Sequence, residues 1–231
     1  GSDTIEGPFG FMKAFSGGSN FFPETVIRSL QSTCHMDESG IEIKKYPCCG
    51  SAHLSLDALL SLVSSRSIDP AEIEKISVLV DFDPPRSLIH SNPTTPLEGK
   101  FSMEYCLASA IVDKHVGLDT FTADKFDRNA VQSLMPKISM ERIQGNEGKP
   151  SWMEGFHEVH LRLKNGEQFS SRASRTRRGS LRGVTFSEVI SKFQDCASLV
   201  IDEDSLPELI DSLVNLEKVT DINQVTSKMI P

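Results

Sequence analysis

The chain has 231 residues, 38% of them apolar and 24% charged, and 24 Lys plus Arg against 32 Asp plus Glu leave a formal net charge of −8. The apolar fraction excludes a disordered chain, and 15 Gly and 12 Pro are too few for a collagen-like or low-complexity segment. No apolar run in the sequence approaches the ~20 residues that span a bilayer, and the acidic total argues against a general nucleic-acid binder, which needs clustered Lys and Arg.

At this length there is room for one domain and part of another. Five cysteines, Cys34, Cys48, Cys49, Cys106 and Cys196, are an odd number at irregular spacing. They argue against a disulfide framework and for a reducing compartment, the cytoplasm or, in a eukaryote, the mitochondrion. The start at Gly1-Ser2, without Met, reads as a cloning scar, so the lack of a targeting segment carries no weight.

In chain order, Glu6 to Gly18 mixes glycines with aromatic residues, and Phe11, Ala14 and Phe15 at i, i+3 and i+4 predict a short helix after a loop. A strand is predicted at about 41–46, stopped by Pro47 and Gly50. Ser51 is then the predicted cap of a helix running to about Ser64, with Leu56, Leu59, Leu60 and Val63 at helical spacing. The β-branched run 76–82 predicts a strand ended by Pro84-Pro85, and the Pro, Thr and Asn content of 90–99 predicts an exposed loop.

Ser102 should cap an almost uniformly apolar helix over 103–112, and a helix without a polar stripe is buried. A short helix is predicted over 126–135, closed by Pro136. Segments 158–164 and 167–171 flank Asn165-Gly166, the strongest hairpin signal in the chain. Two amphipathic helices end the sequence: Phe186, Val189, Ile190, Phe193 and Ala197 form one apolar face, and Leu206, Leu209, Ile210, Leu213 and Val214 the other.

The densest constellation is Lys44-Lys45-Tyr46-Pro47-Cys48-Cys49-Gly50-Ser51-Ala52-His53. At the predicted strand-to-helix junction, a Lys and a His in the first helical turn can converge on a carboxylate, the ammonium as clamp or proton donor and the imidazole as acid or base. The alternative is a solvated lysine pair and a histidine satisfied on a packing surface. Cys34, His35, Cys48, Cys49 and His53 lack the paired spacing of a structural zinc site, so no metal is predicted.

A second cluster, Arg172, Arg175, Arg177, Arg178 and Arg182, follows the hairpin and reads either as a loop gripping carboxylates or phosphates or as a solvated face. Lys100 is a third candidate anion contact. His157 and His160, three apart on a strand, point to opposite faces. No Gly-x-Gly-x-x-Gly, P-loop or Gly-x-Ser-x-Gly motif is present.

The run Lys44 to His53, followed by Leu-Ser-Leu-Asp57-Ala58, resembles the MmgE/PrpD family of 2-methylcitrate dehydratases, cis-aconitate decarboxylases and iminodisuccinate epimerases. Glu6 to Phe11, Leu97 to Ser102, Val159 to Gly166 and Phe186 to Phe193 resemble further family segments in the same order. The resemblance implies an α+β fold: a two-layer α/β lid over residues 40–182, preceded by the end of an all-helical domain segment at 1–39. Residues 183–231 would return to that all-α domain, whose N-terminal half is absent here.

It further implies a cofactor-independent lyase of the 2-methylcitrate dehydratase type, acting on a small tricarboxylate or dicarboxylate by proton transfer beside a carboxylate. A homodimer is implied as well, and this chain alone is expected to be inactive. Lys44 matches the lid lysine of the family's site; His53 and Cys49 complete the catalytic candidates, with Lys100, Arg175 and Arg178 as substrate-binding ones. Decarboxylases of the family carry His where this chain has Cys49, which favours dehydratase or epimerase. The reading of a different class is a noncatalytic α+β interaction module.

Overall fold

A computed structural model describes residues 3–8, 10–16, 24, 27–28, 43–85, 87–144, 155–174, 177–178, 181–182 and 184–229. They belong to two compact units, Gly1–Ile41 and Glu42–Pro231. In the first, helices α1 (Asp3–Glu6) and α2 (Phe11–Ser16) are described. The predicted short helix is α2, and its Phe11 and Phe15 rings meet with centroids 4.5 Å apart, as i, i+4 neighbours should.

The second unit is an α+β fold, as the sequence predicts. Its sheet has the order β2-β1-β3-β4, from β1 (Ile73–Val80), β2 (Ile138–Arg142), β3 (Phe156–Leu163) and β4 (Gln168–Ser174). β1 runs parallel to β2, aligning Ile76 with Ile138, and antiparallel to β3, aligning Val78 with Val159. Ile73, Ile76, Val78 and Val80 of β1 and Val159 and Leu161 of β3 are buried on one face, each contributing on the order of 2 kcal/mol.

The other sheet face is polar. Ser77, His160, Arg162 and Ser170 line a shallow cleft on it. The hairpin forms where Asn165-Gly166 predicts it. Gly166 sits at φ +89°, a conformation that costs glycine nothing.

Two helices cover the apolar face. α3 (His53–Ser64) packs on β3 and β4, and α4 (Met103–Asp113) lies against α3, β2 and α5 (Asn129–Leu134). α4 is buried almost all round, as its lack of a polar stripe predicts, and the Ser102 hydroxyl accepts from the Tyr105 N–H at 3.1 Å. Past the sheet come the ribbon β5 (Arg177–Arg178) and β6 (Leu181–Arg182), then α6 (Phe186–Ala197) and α7 (Leu206–Val214). Among the described residues no helix is long and apolar enough to cross a membrane.

Five local expectations need correction, the first being the exposed loop at 90–99, where Pro96–Gly99 is a helical turn capped by Thr95 with Gly99 buried. Of the strand predicted at about 41–46, residues 41–42 lie outside the described residues, and 43–48 form an irregular, bent segment and not a strand. The side chains of successive residues Lys45 and Tyr46 both reach Asp57 Oδ1, which the alternation of a strand would forbid. Ser51 does not cap α3: a 3-10 turn, Gly50–Ala52, precedes the helix, and the Ser51 hydroxyl pairs with Ser87 at 3.0 Å.

The helix predicted over 126–135 breaks at Asp127 and Arg128, where the Arg128 backbone is extended (φ −64°, ψ 126°) and its guanidinium holds both oxygens of Asp113 at 2.7 Å. Finally, β2 has no counterpart among the predicted strands. Its five residues alternate too briefly to signal a strand, and its parallel partner lies some sixty residues upstream.

Candidate functional site

The Lys44 to His53 motif is a turn fixed from several sides. Its backbone is tied to the segment before α4 by the Cys49 N–H, which donates to the Lys100 carbonyl at 2.9 Å. Its outer edge is tied to the loop after β1: Cys49 Sγ lies 3.2 Å from the Ser87 hydroxyl. Tyr46 closes the inside, its ring edge-on to His53 at 5.3 Å and its hydroxyl donating to Asp57 at 2.7 Å. Burial and the Asp57 carboxylate push the Tyr46 phenol far above its ordinary range, so it stays protonated as a donor.

The two lysines have opposite fates. Lys45 Nζ is shared between Asp57 at 2.7 Å and Glu188 at 2.8 Å, so it joins the N-terminal parts of α3 and α6. Burial works against its charge, but the two carboxylates win and its pKa is raised. Burial likewise opposes ionisation of Glu188, yet Lys45 and the Thr185 N–H and hydroxyl hold that carboxyl down at about 2. Lys44, by contrast, is exposed, and among the described residues its ammonium donates only to the Cys48 carbonyl, at 3.3 Å. Its own carbonyl accepts from Lys192 of α6.

His53 opens α3, half-buried, and its Nε2 is shielded from solvent with no hydrogen-bond partner among the described residues. Its ring also adjoins Cys48. Hydrogen bonding from Cys106, against the opposing effect of burial, together with His53 and Lys44, lowers the Cys48 thiol to about 6. Cys106 moves the other way, raised by its bond to Cys48 and by complete burial. The Cys48–Cys106 contact is an internal feature of the core, while the Cys49 thiol faces the Ser87 loop.

The structure brings Lys44, Cys49 and His53 into one turn and puts the Lys100 carbonyl against it. The Lys100 ammonium lies over the Phe121 ring, 5.6 Å from its centroid. Arg175 falls outside the described residues, and Arg178 is described only as backbone of the β5–β6 ribbon. Arg172, from the same cluster, is paired with Glu158 at 3.0 Å and stacked over Phe156 at 3.9 Å. Among the described residues no three His, Cys, Asp or Glu side chains converge as a metal site.

The open cleft of about 470 Å³ between α3 and α6 is lined by Lys45, Asp57, Glu188, Lys192 and Asp195. Lys45 is held there between Asp57 and Glu188, so this cleft reads as structural.

One grouping escaped sequence reasoning. His157 of β3 faces the helices, with Nδ1 2.8 Å from the Ser55 hydroxyl of α3 and Nε2 3.1 Å from Asp81 Oδ1 just past β1. The inward register of β3 was the only signal that could have found it, since Ser55, Asp81 and His157 are far apart in sequence.

A family model described as the MmgE/PrpD C-terminal domain matches residues 46–216. The chain is similar to cis-aconitate decarboxylase of Homo sapiens, 22% identical over 213 residues, which cover 90% of this chain and 44% of that protein. It is similar to cis-aconitate decarboxylase of Aspergillus terreus, 24% identical over 228 residues, covering 93% and 46%. A cis-aconitate decarboxylase-like protein of Aspergillus oryzae is 25% identical over 229 residues, covering 94% and 46%. The chain thus spans about half the length of the curated relatives it matches.

Proposed function

Because the chain belongs to the MmgE/PrpD family through its C-terminal domain, we propose that it carries one wall of the active site of a lyase acting on a small polycarboxylate. The observation that carries this reading is the division of labour between the adjacent lysines. Lys45 is consumed by Asp57 and Glu188, whereas Lys44 projects from a braced turn with only a carbonyl as partner among the described residues. A cation held in place without an acid to neutralise it is what a substrate carboxylate, or the enolate formed beside it, requires.

In this reading Lys44 faces the carboxylate next to the reacting carbon and opposes the charge that develops as a proton or carbon dioxide leaves. His53, in the first turn of α3 beside this lysine's turn, is the proton carrier, and its Nε2 has no hydrogen-bond partner among the described residues. Cys49, backed by Ser87, lines the same turn as a small uncharged wall. Lys100, Arg175 and Arg178 are retained as contacts for the remaining carboxylates.

Dehydration of a 2-methylcitrate-like substrate is the first reading, since Cys49 stands where the family's decarboxylases carry His. Decarboxylation of cis-aconitate is the second, favoured by the names of the relatives. Both need further groups opposite this wall, so the assay uses the full-length protein. Incubation with 2-methylcitrate and with cis-aconitate, followed by NMR, distinguishes loss of water from loss of carbon dioxide. Lys44→Ala should abolish turnover while leaving assembly intact; retained turnover in that variant, or none in the parent with either acid, overturns the proposal.

A further inference from the structure

Behind the motif lies a buried polar relay. Ser55, Asp81 and His157 are each no more than 4% exposed, beside a core cluster of aliphatic, aromatic and cysteine side chains. A carboxylate only accepts hydrogen bonds, so the 3.1 Å contact places a proton on His157 Nε2, donated to Asp81 Oδ1. Nδ1, on the other side of the ring, lies 2.8 Å from the Ser55 hydroxyl, which can serve as donor or acceptor to it. Both ring nitrogens are satisfied, and the Phe82 ring, 5.6 Å away and steeply inclined, closes one side of the imidazole.

Burying such a group costs more than an aliphatic replacement would, so its placement calls for a reason. Ser55 stands two residues after His53, on the first turn of α3. Asp81 opens the loop whose Ser87 touches Cys49 Sγ and Ser51 Oγ, and that loop is pinned by buried Phe82 and Leu88. One imidazole therefore bridges the two pieces of backbone that flank the motif.

We propose that His157 is a positioning residue, holding the start of α3 and the Asp81–Ser87 loop in register so that Cys49 and His53 keep their places. It touches no substrate. The inference rests on the lyase reading given above, and its test has an arm that does not need turnover.

In the full-length protein, His157→Leu should lower kcat by about 10- to 100-fold with KM nearly unchanged, because reacting groups are misplaced while carboxylate binding persists. His157→Gln, which keeps a donor toward Asp81, should recover part of that loss. In parallel, labelling of Cys49 by a small aromatic disulfide, read by peptide mass spectrometry, should quicken about 10-fold in His157→Leu as the loop leaves the thiol. Ser55→Ala, which removes a single oxygen, should move both readouts in the same direction and decides the matter if His157→Leu does not fold.

Unchanged kcat and unchanged Cys49 labelling in folded variants overturn the proposal. So does a loss that His157→Gln fails to relieve and that merely follows the melting temperature. If the parent turns over neither acid, the lyase reading fails and the labelling arm alone decides whether His157 holds the turn.

Discussion

Lys44 and Lys45 look alike in the sequence, and only three-dimensional neighbours tell them apart. The sequence offers the Lys-Lys pair and the first-turn histidine as candidates for anion binding, but nothing in the spacing says which lysine an acid 143 residues away will take. The difference is testable: Lys45→Ala should cost about 1–2 kcal/mol in chemical denaturation, as two part-buried carboxylates lose their partner, while Lys44→Ala should stay within about 0.5 kcal/mol of the parent. Glu188 supplies a pH test of the same contact. Its folded pKa of about 2 lies below the ordinary 4.5, so the unfolded chain binds its proton first. The stabilisation is complete above the ordinary value and is lost as pH falls from there toward about 2. With the pair about a third exposed, Glu188→Gln should remove about 1 kcal/mol at neutral pH and flatten the acid limb of the stability curve; an unchanged acid limb would show that the contact contributes nothing.

Elements with strong local signals form where the sequence predicts them, for reasons of chemistry at their ends. α4 begins at Ser102 because its hydroxyl meets the Tyr105 N–H, and the hairpin turns at Gly166 because only glycine takes that φ without strain. α6 is fixed by a capping box: the Thr185 hydroxyl accepts from the Glu188 N–H at 3.3 Å, and Glu188 Oε2 accepts from the Thr185 N–H at 2.7 Å. Since the other oxygen of Glu188 holds Lys45, Thr185→Ala should cost about 1 kcal/mol and also loosen the motif, seen as faster amide exchange across both 44–50 and 185–190. The features the sequence hid, β2 and the bend at 43–48, depend on partners distant along the chain. A second element-scale test uses Gly99, where an added Cβ would lie 2.8 Å from the Tyr105 ring. That ring is fully buried and its hydroxyl is anchored on the Thr120 carbonyl, so it has no room to retreat. Gly99→Ala should therefore destabilise by about 1–3 kcal/mol, and it should displace the Lys100 carbonyl that receives the Cys49 N–H; a neutral variant would mean the segment before α4 is slack.

Across the whole molecule the apolar surface is unevenly placed. The sheet and its two covering helices bury their large side chains, whereas the C-terminal helical segment leaves Phe186, Leu199, Val200, Val214, Leu216 and Ile222 largely exposed. Of these six, amphipathic periodicity announced only Phe186 and Val214 in the sequence, and periodicity states only that a face is apolar and not what meets it. Surface of that kind promotes association in water. Its removal should therefore change solution behaviour without touching the α/β layers, whose core shares none of these six side chains. The 231-residue chain carrying Phe186→Ser, Leu199→Ser and Val200→Ser should show a higher monomer fraction by sedimentation and at least a several-fold weaker response to a hydrophobic dye than the parent chain. Its denaturation midpoint should move by less than about 0.5 kcal/mol, because exposed side chains contribute little to folding. A large fall in stability would show instead that these residues already pack within the chain, and that the folded core extends past α6.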